Sequence, residues 1–101
     1  MSQSLVFNLR VRFKSFGPLK RLLPSSEMYL DIPLDSTVND VIDRVLEIGG
    51  KEFERLIMNN GKLSGNLIVL VNKTDIDRLD GLDTRLSSGD LVTILPHVQG
   101  G

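Results

Sequence analysis

Apolar and polar residues alternate over residues 5–13. Leu5, Phe7, Leu9, Val11 and Phe13 fall on one side, and Asn8, Arg10 and Arg12 on the other. A period of two is the spacing of a strand with one buried face. Gly17-Pro18 breaks the pattern, and "LKRLL" fits one helical turn stopped by Pro24. The alternation resumes in "EMYLDIP", with Met28, Leu30 and Ile32 opposite Glu27, Tyr29 and Asp31. A link of about a dozen residues is long for a tight hairpin and suits a looser antiparallel pair.

The period then changes. Val38, Val41, Ile42, Val45 and Leu46 recur at helical spacing and form one apolar stripe. Thr37 and Asp40 have the spacing of a capping box, with Asp in place of the usual Glu, and Ser36 competes as N-cap. Asp40 and Arg44 are spaced to pair, and Asp43 and Glu47 complete the solvent face. Gly49-Gly50 supplies a left-handed C-cap. A short second helix is expected in "KEFERLIMNNGK", with Phe53, Leu56 and Ile57 inward and Asn60-Gly61 as its end.

"NLIVLVN", residues 66–72, is continuously apolar. It suits a strand covered on both faces or one whose outer face docks a partner. A turn at Ser88-Gly89-Asp90 leads to a last strand over 91–95, ended by Pro96. The order is strand, strand, helix, strand, short turns, strand and tail. That describes an α+β layer with one main helix across a sheet. A helix crossing from an adjacent strand pair to the third strand is compatible with this order and not dictated by it.

Composition alters this picture little. Apolar residues are 41% and charged residues 25% of 101, with a formal charge of −1. These values give no global reason to expect nucleic acid or an anionic membrane as a partner. There is no cysteine, so thiolate catalysis and disulfides are excluded. No signal peptide or membrane span is visible, and the expected location is the cytoplasm.

Four stretches, in order, carry a resemblance. They are "VRFKSFGPLKRLL", with its Phe-Gly-x-x-x-x-Leu segment, "DSTVNDVIDRV", "NLIVLVNKTDI", closed by Val-Asn, and "LSSGDLVTILPHVQGG", with its Gly-Asp-x-Val turn and terminal Gly-Gly. Together they resemble the ubiquitin-like sulfur carriers and modifiers of the β-grasp superfamily. That group holds the small subunit of molybdopterin synthase, the thiamine sulfur carrier, the small archaeal modifiers and the ubiquitin-related modifier. Length and the "KEFERLIMNNGKLSGN" segment are more like the ubiquitin-related modifier. His97-Val98-Gln99 before the glycines and Lys73 after Asn72 depart from the pattern. The fold implied is a β-grasp: a mixed four- to five-stranded sheet with one main helix across one face. One domain over residues 1–101 is expected, with 97–101 as a flexible diglycine tail.

The resemblance implies a chemistry for the end of the chain. The Gly101 carboxylate, presented with Gly100, would be adenylated by an E1-like enzyme using ATP. It would then become a thiocarboxylate for tRNA thiolation, be joined to lysines of target proteins, or both. The alternative is a dedicated small subunit that donates sulfur with the large subunit of molybdopterin synthase. On either reading the chain is a carrier and not an enzyme. It binds no cofactor or metal itself and contacts neither nucleic acid nor membrane directly. Two glycines suit the task because, without Cβ atoms, they lie extended in a narrow channel and leave the carbonyl unshielded. The implied docking face is the sheet face away from the helix. Leu91, Thr93 and Leu95 point there if Val92 and Ile94 point into the core. Leu95, Leu91, Phe16 and Leu70 are the docking candidates, with core burial the competing assignment for Phe16 and Leu70.

Other candidate chemistry is weaker. His97 is the only histidine, which leaves a metal site or proton relay without partners. Asp75, Asp77, Asp80 and Asp83 lack the closing Glu of a calcium loop, so they suit turns and solvent. Lys14, Lys20, Lys51, Lys62 and Lys73 are potential isopeptide acceptors whose ordinary role is solubility.

Overall fold

The computed structural model describes residues 8–96. The expected apolar positions Leu5 and Phe7, and the expected tail over 97–101 with His97, Gly100 and Gly101, lie outside them. Two long strands come first, β1 (Asn8–Ser15) and β2 (Glu27–Pro33), with a 3-10 turn over Gly17–Leu22 between them. Helix α1 (Val38–Ile57) follows, then a hairpin of β3 (Met58–Asn59) and β4 (Lys62–Leu63). The remaining strands are β5 (Leu67–Val71), β6 (Thr74–Asp75) and β7 (Leu91–Pro96). The main sheet has five strands in the order β2-β1-β7-β5-β6. All its pairs are antiparallel except β1 with β7, which run parallel at the centre.

Alternation decides which face is covered. Leu9, Val11 and Phe13 of β1, Leu30 and Ile32 of β2, Val69 and Val71 of β5, and Val92 and Ile94 of β7 are buried together. Val38, Val41, Ile42 and Val45 of α1 close over them. Ser15 shares this face and is buried, with its hydroxyl unpaired.

The helix starts as its capping box requires. The Asp40 N–H donates to the Thr37 hydroxyl at 3.3 Å, and the Thr37 N–H donates to Asp40 Oδ2 at 2.8 Å. This satisfies two of the helix's orphan donors reciprocally. Thr37, and not Ser36, is therefore the N-cap. Asp40 is committed to the cap, and its pairing with Arg44 is absent from the ion pairs of the described residues.

Three expectations about the next segment are corrected. First, Gly50 separates two helical segments as expected, but not as a left-handed cap: its φ of 74° and ψ of −164° lie in a region open to glycine alone. Second, Leu56 is exposed, because beyond the break the inward stripe is Phe53 and Ile57. Third, Asn60-Gly61 is more than a helix end. Positive φ at both residues (55° and 78°) makes it the two-residue turn joining β3 to β4.

Gly49 is required by packing and not by conformation. A Cβ there would lie 2.5 Å from Phe53 Cβ and 3.1 Å from Leu23 Cδ2. Alanine favours a helix over glycine by about 1 kcal/mol, but forced overpacking costs about 1–3 kcal/mol. Gly49→Ala is expected to destabilise by roughly 1–2 kcal/mol in urea unfolding. Gly65→Ala, with open space around it, is expected to stay within about 0.5 kcal/mol of the parent. A stabilised Gly49→Ala protein would contradict the packing.

Candidate functional site

The sheet face away from α1 is built by the outward positions of the same strands. Register places Arg10 opposite Asp31, Arg12 opposite Tyr29 and Lys14 opposite Glu27. Leu91 lies opposite Arg12 and Thr93 opposite Lys14. Across β7, Leu95 faces Ile68 and Thr93 faces Leu70. The face therefore divides in two. β1 and β2 carry charges and Tyr29, while β7 and β5 carry Leu91, Leu95, Ile68 and Leu70, all half-buried.

The charged half is largely neutralised within itself. Arg10 grips Asp31 with Nε at 3.0 Å and Nη2 at 3.4 Å, and its guanidinium carbon lies 5.8 Å from the Tyr29 ring centroid. The hydrogen bond from Arg10 lowers the Asp31 carboxyl below its ordinary value, and the carboxylate raises Arg10 in return. Arg12 reaches diagonally to Glu27 at 3.3 Å. That leaves Lys14, the residue directly opposite Glu27, to lean over the Phe16 ring at 5.0 Å from its centroid.

The docking candidates fall as follows. Leu91, Leu95 and Leu70 share one apolar patch. Phe16 follows Ser15, the residue level with Ile94, and so comes alongside Leu95. It is 41% exposed, which settles its place outside the core. Thr93 points to this face but is only 5% exposed, closed in between its partners Lys14 and Leu70. Ile68 belongs to the patch and was not singled out from the sequence, because the run "LIVLV" is apolar on both faces. The signal was its parity with Leu70.

The start of β7 is fixed by a clamp between two motifs. Asn72, in the left-handed region at φ 59°, donates from Nδ2 to Asp90 Oδ1 at 3.2 Å. Its Oδ1 accepts the Leu91 N–H at 3.1 Å. Asp90 Oδ2 accepts the Ser87 N–H at 2.8 Å, closing the turn. The Val-Asn and Gly-Asp pairs of the sequence are thus halves of one device that sets the β5–β7 register. Asp75 accepts the Asp77 N–H at 2.9 Å as a turn cap. Among the described residues no group of three or more His, Cys, Asp or Glu is placed to hold a metal ion. No described helix is long and apolar enough to cross a membrane. Lys20, Lys51, Lys62 and Lys73 are exposed.

A double-mutant cycle of Asn72→Ala and Asp90→Ala should return a coupling of roughly 1 kcal/mol in urea unfolding. Additive effects would mean that the two side chains act independently.

The model of the ThiS family matches residues 14–101. A candidate sulfur carrier protein of Archaeoglobus fulgidus is 36% identical over 86 residues, covering 82% of this chain and 98% of that protein. Small archaeal modifier protein 3 of Haloferax volcanii is 31% identical over 93 residues, covering 92% and 98%. The solution structure of small archaeal modifier protein 1 from Methanosarcina acetivorans superposes with a TM-score of 0.79 at 27% identity, covering 94% of this chain and 99% of that one.

Proposed function

Because the chain belongs to the ThiS family of ubiquitin-like β-grasp sulfur carriers and modifiers, we propose that it works through the carboxyl group of Gly101. An E1-like enzyme binds the apolar patch. The Gly101 carboxylate attacks the α-phosphorus of ATP in that enzyme's site, and pyrophosphate leaves. The acyl-adenylate then takes one of two routes. Hydrosulfide displaces AMP to give a thiocarboxylate, the sulfur source for tRNA thiolation. Alternatively the acyl group passes to a lysine amine of a target protein, with AMP as the leaving group. The chain supplies no catalytic group and no cofactor, and its setting is the cytoplasm.

The observation that carries this reading is the patch itself. Ile68, Leu70, Leu91 and Leu95, with Phe16 at the rim, lie on the face that α1 leaves uncovered, on the strand that ends at Pro96. An apolar cluster bordered by self-paired charges is the composition of a docking surface. Residues 97–101 follow directly, so a partner seated on the patch has the working carboxyl group within a short reach.

The test mixes the purified chain with its E1-like partner, ATP and a sulfur donor, and reads the C-terminal peptide by mass spectrometry. Trypsin releases residues 86–101 as one peptide, because no Lys or Arg follows Arg85. That peptide contains no methionine, so a mass gain of sulfur for oxygen is not confused with methionine oxidation. An ATP-dependent thiocarboxylate or isopeptide at Gly101 is expected, and deletion of Gly100-Gly101 should abolish it. Leu95→Asp should raise the KM of activation about tenfold or more, equivalent to ~1.4 kcal/mol of docking. No ATP-dependent change in the parent chain would overturn the proposal.

A further inference from the structure

β1 sends three cations to the open face, and two of them are paired. Arg10 is bound to Asp31 and Arg12 to Glu27. Lys14 is the third, and it is the only lysine on the main sheet. Its register partner on β2 is Glu27, but Glu27 takes a hydrogen bond from Arg12 at 3.3 Å. Lys14 has no part in the ion pairs of the described residues. Its ammonium stands 5.0 Å from the centroid of the Phe16 ring instead.

That position is enclosed on the β7 side by the apolar patch and along the chain by Phe16. Thr93 lies beside Lys14, and its neighbours on the same face of β7 are Leu91 and Leu95. Across β7, Thr93 lies opposite Leu70. Lys14 helps to cover Thr93, which is 5% exposed, and is itself half-buried. A lysine placed in this way lays its methylenes on apolar surface and keeps its charged head in water.

Docking removes that water. A partner that covers Leu70, Leu91, Leu95 and Phe16 also covers the ammonium that lies among them. A cation that loses its hydration is costly unless a new acceptor replaces the water. The Phe16 ring offsets a part of that cost. Glu27, the carboxylate opposite in the register, is already engaged by Arg12, so the new acceptor has to come from the partner.

We propose that Lys14 is a specificity-determining residue of the docking surface, and that the surface it fits is an apolar hollow holding one carboxylate, of Asp or Glu, aimed at the Lys14 ammonium. The inference rests on the docking role given to the patch above and adds the chemistry of the partner. An apolar surface of the same shape without the carboxylate is rejected, because it leaves a desolvated cation unpaired.

Isothermal titration calorimetry of the full chain against the E1-like enzyme, without ATP, tests this. Lys14→Met is the informative variant, because it keeps the length of the side chain and its cover over Thr93 while removing the charge. Thermal unfolding checks that it folds. Its Kd should rise about 10- to 100-fold, and Lys14→Glu, which sets two carboxylates face to face, should weaken binding further. Added salt should weaken the parent more than it weakens Lys14→Met, a difference that a purely structural role for Lys14 would not produce. Equal or tighter binding by Lys14→Met overturns the proposal, since methionine gains wherever the opposing surface is apolar throughout. Leu95→Asp separates two kinds of failure. If it weakens binding and Lys14→Met does not, the patch docks the enzyme and the carboxylate is wrong. If neither variant weakens binding, the docking role of the patch fails and this inference falls with it.

Discussion

The parallel pairing of β1 with β7 is the contact on which the rest of the molecule depends. It joins the first described strand to the last, across nearly the full length of the chain, in a register of four residue pairs from Arg12–Leu91 to Ser15–Ile94. Two backbone bonds lead into it, from the Gly89 N–H to the Arg10 carbonyl and from the Arg12 N–H to the Asp90 carbonyl. Parallel partners need a long connection, and the chain from β2 to β6, with α1 in its middle, supplies it. Because the pairing is central, it decides both faces at once. Phe13, Val92 and Ile94 go under the helix, and Lys14, Leu91 and Leu95 go to the open side.

The same register produces the division of the open face. β2 and β1 pair cation with carboxylate, so this half offers little unspent charge. β7 and β5 pair leucine with isoleucine and threonine, so their half offers surface that gains from being covered. Lys14 stands at the boundary, displaced from Glu27 by Arg12 and resting on Phe16. A sheet with one face under a helix and the other half apolar has a surface to offer a partner, and that surface lies on the strand that leads to the C-terminal end.

Much of this was legible in the residues. Period-two alternation placed β1 and β2 and their buried faces, and the Thr37–Asp40 spacing placed the helix start to the residue. Pairwise geometry was not legible. Nothing in a string of letters says that Arg12 reaches diagonally to Glu27, or that Thr93, correctly assigned to the outer face, is closed over by Lys14 and Leu70. The continuous run "LIVLV" hid Ile68, since parity has no meaning until one neighbour's register is known. Helix periodicity failed at Leu56 because the short segment after Gly50 buries a stripe narrow enough to hold only Phe53 and Ile57.

The central claim is that the open face of the sheet, and not the helix face, receives the activating partner. Methyl and amide NMR spectra of the labelled chain, recorded while the E1-like enzyme is added, test it most directly. The account predicts shifts or broadening concentrated at Ile68, Leu70, Leu91, Leu95 and Phe16, with Asp43 and Glu47 on the helix unaffected. Perturbation confined to the outer surface of α1, with the β5 and β7 leucines unchanged, would contradict it.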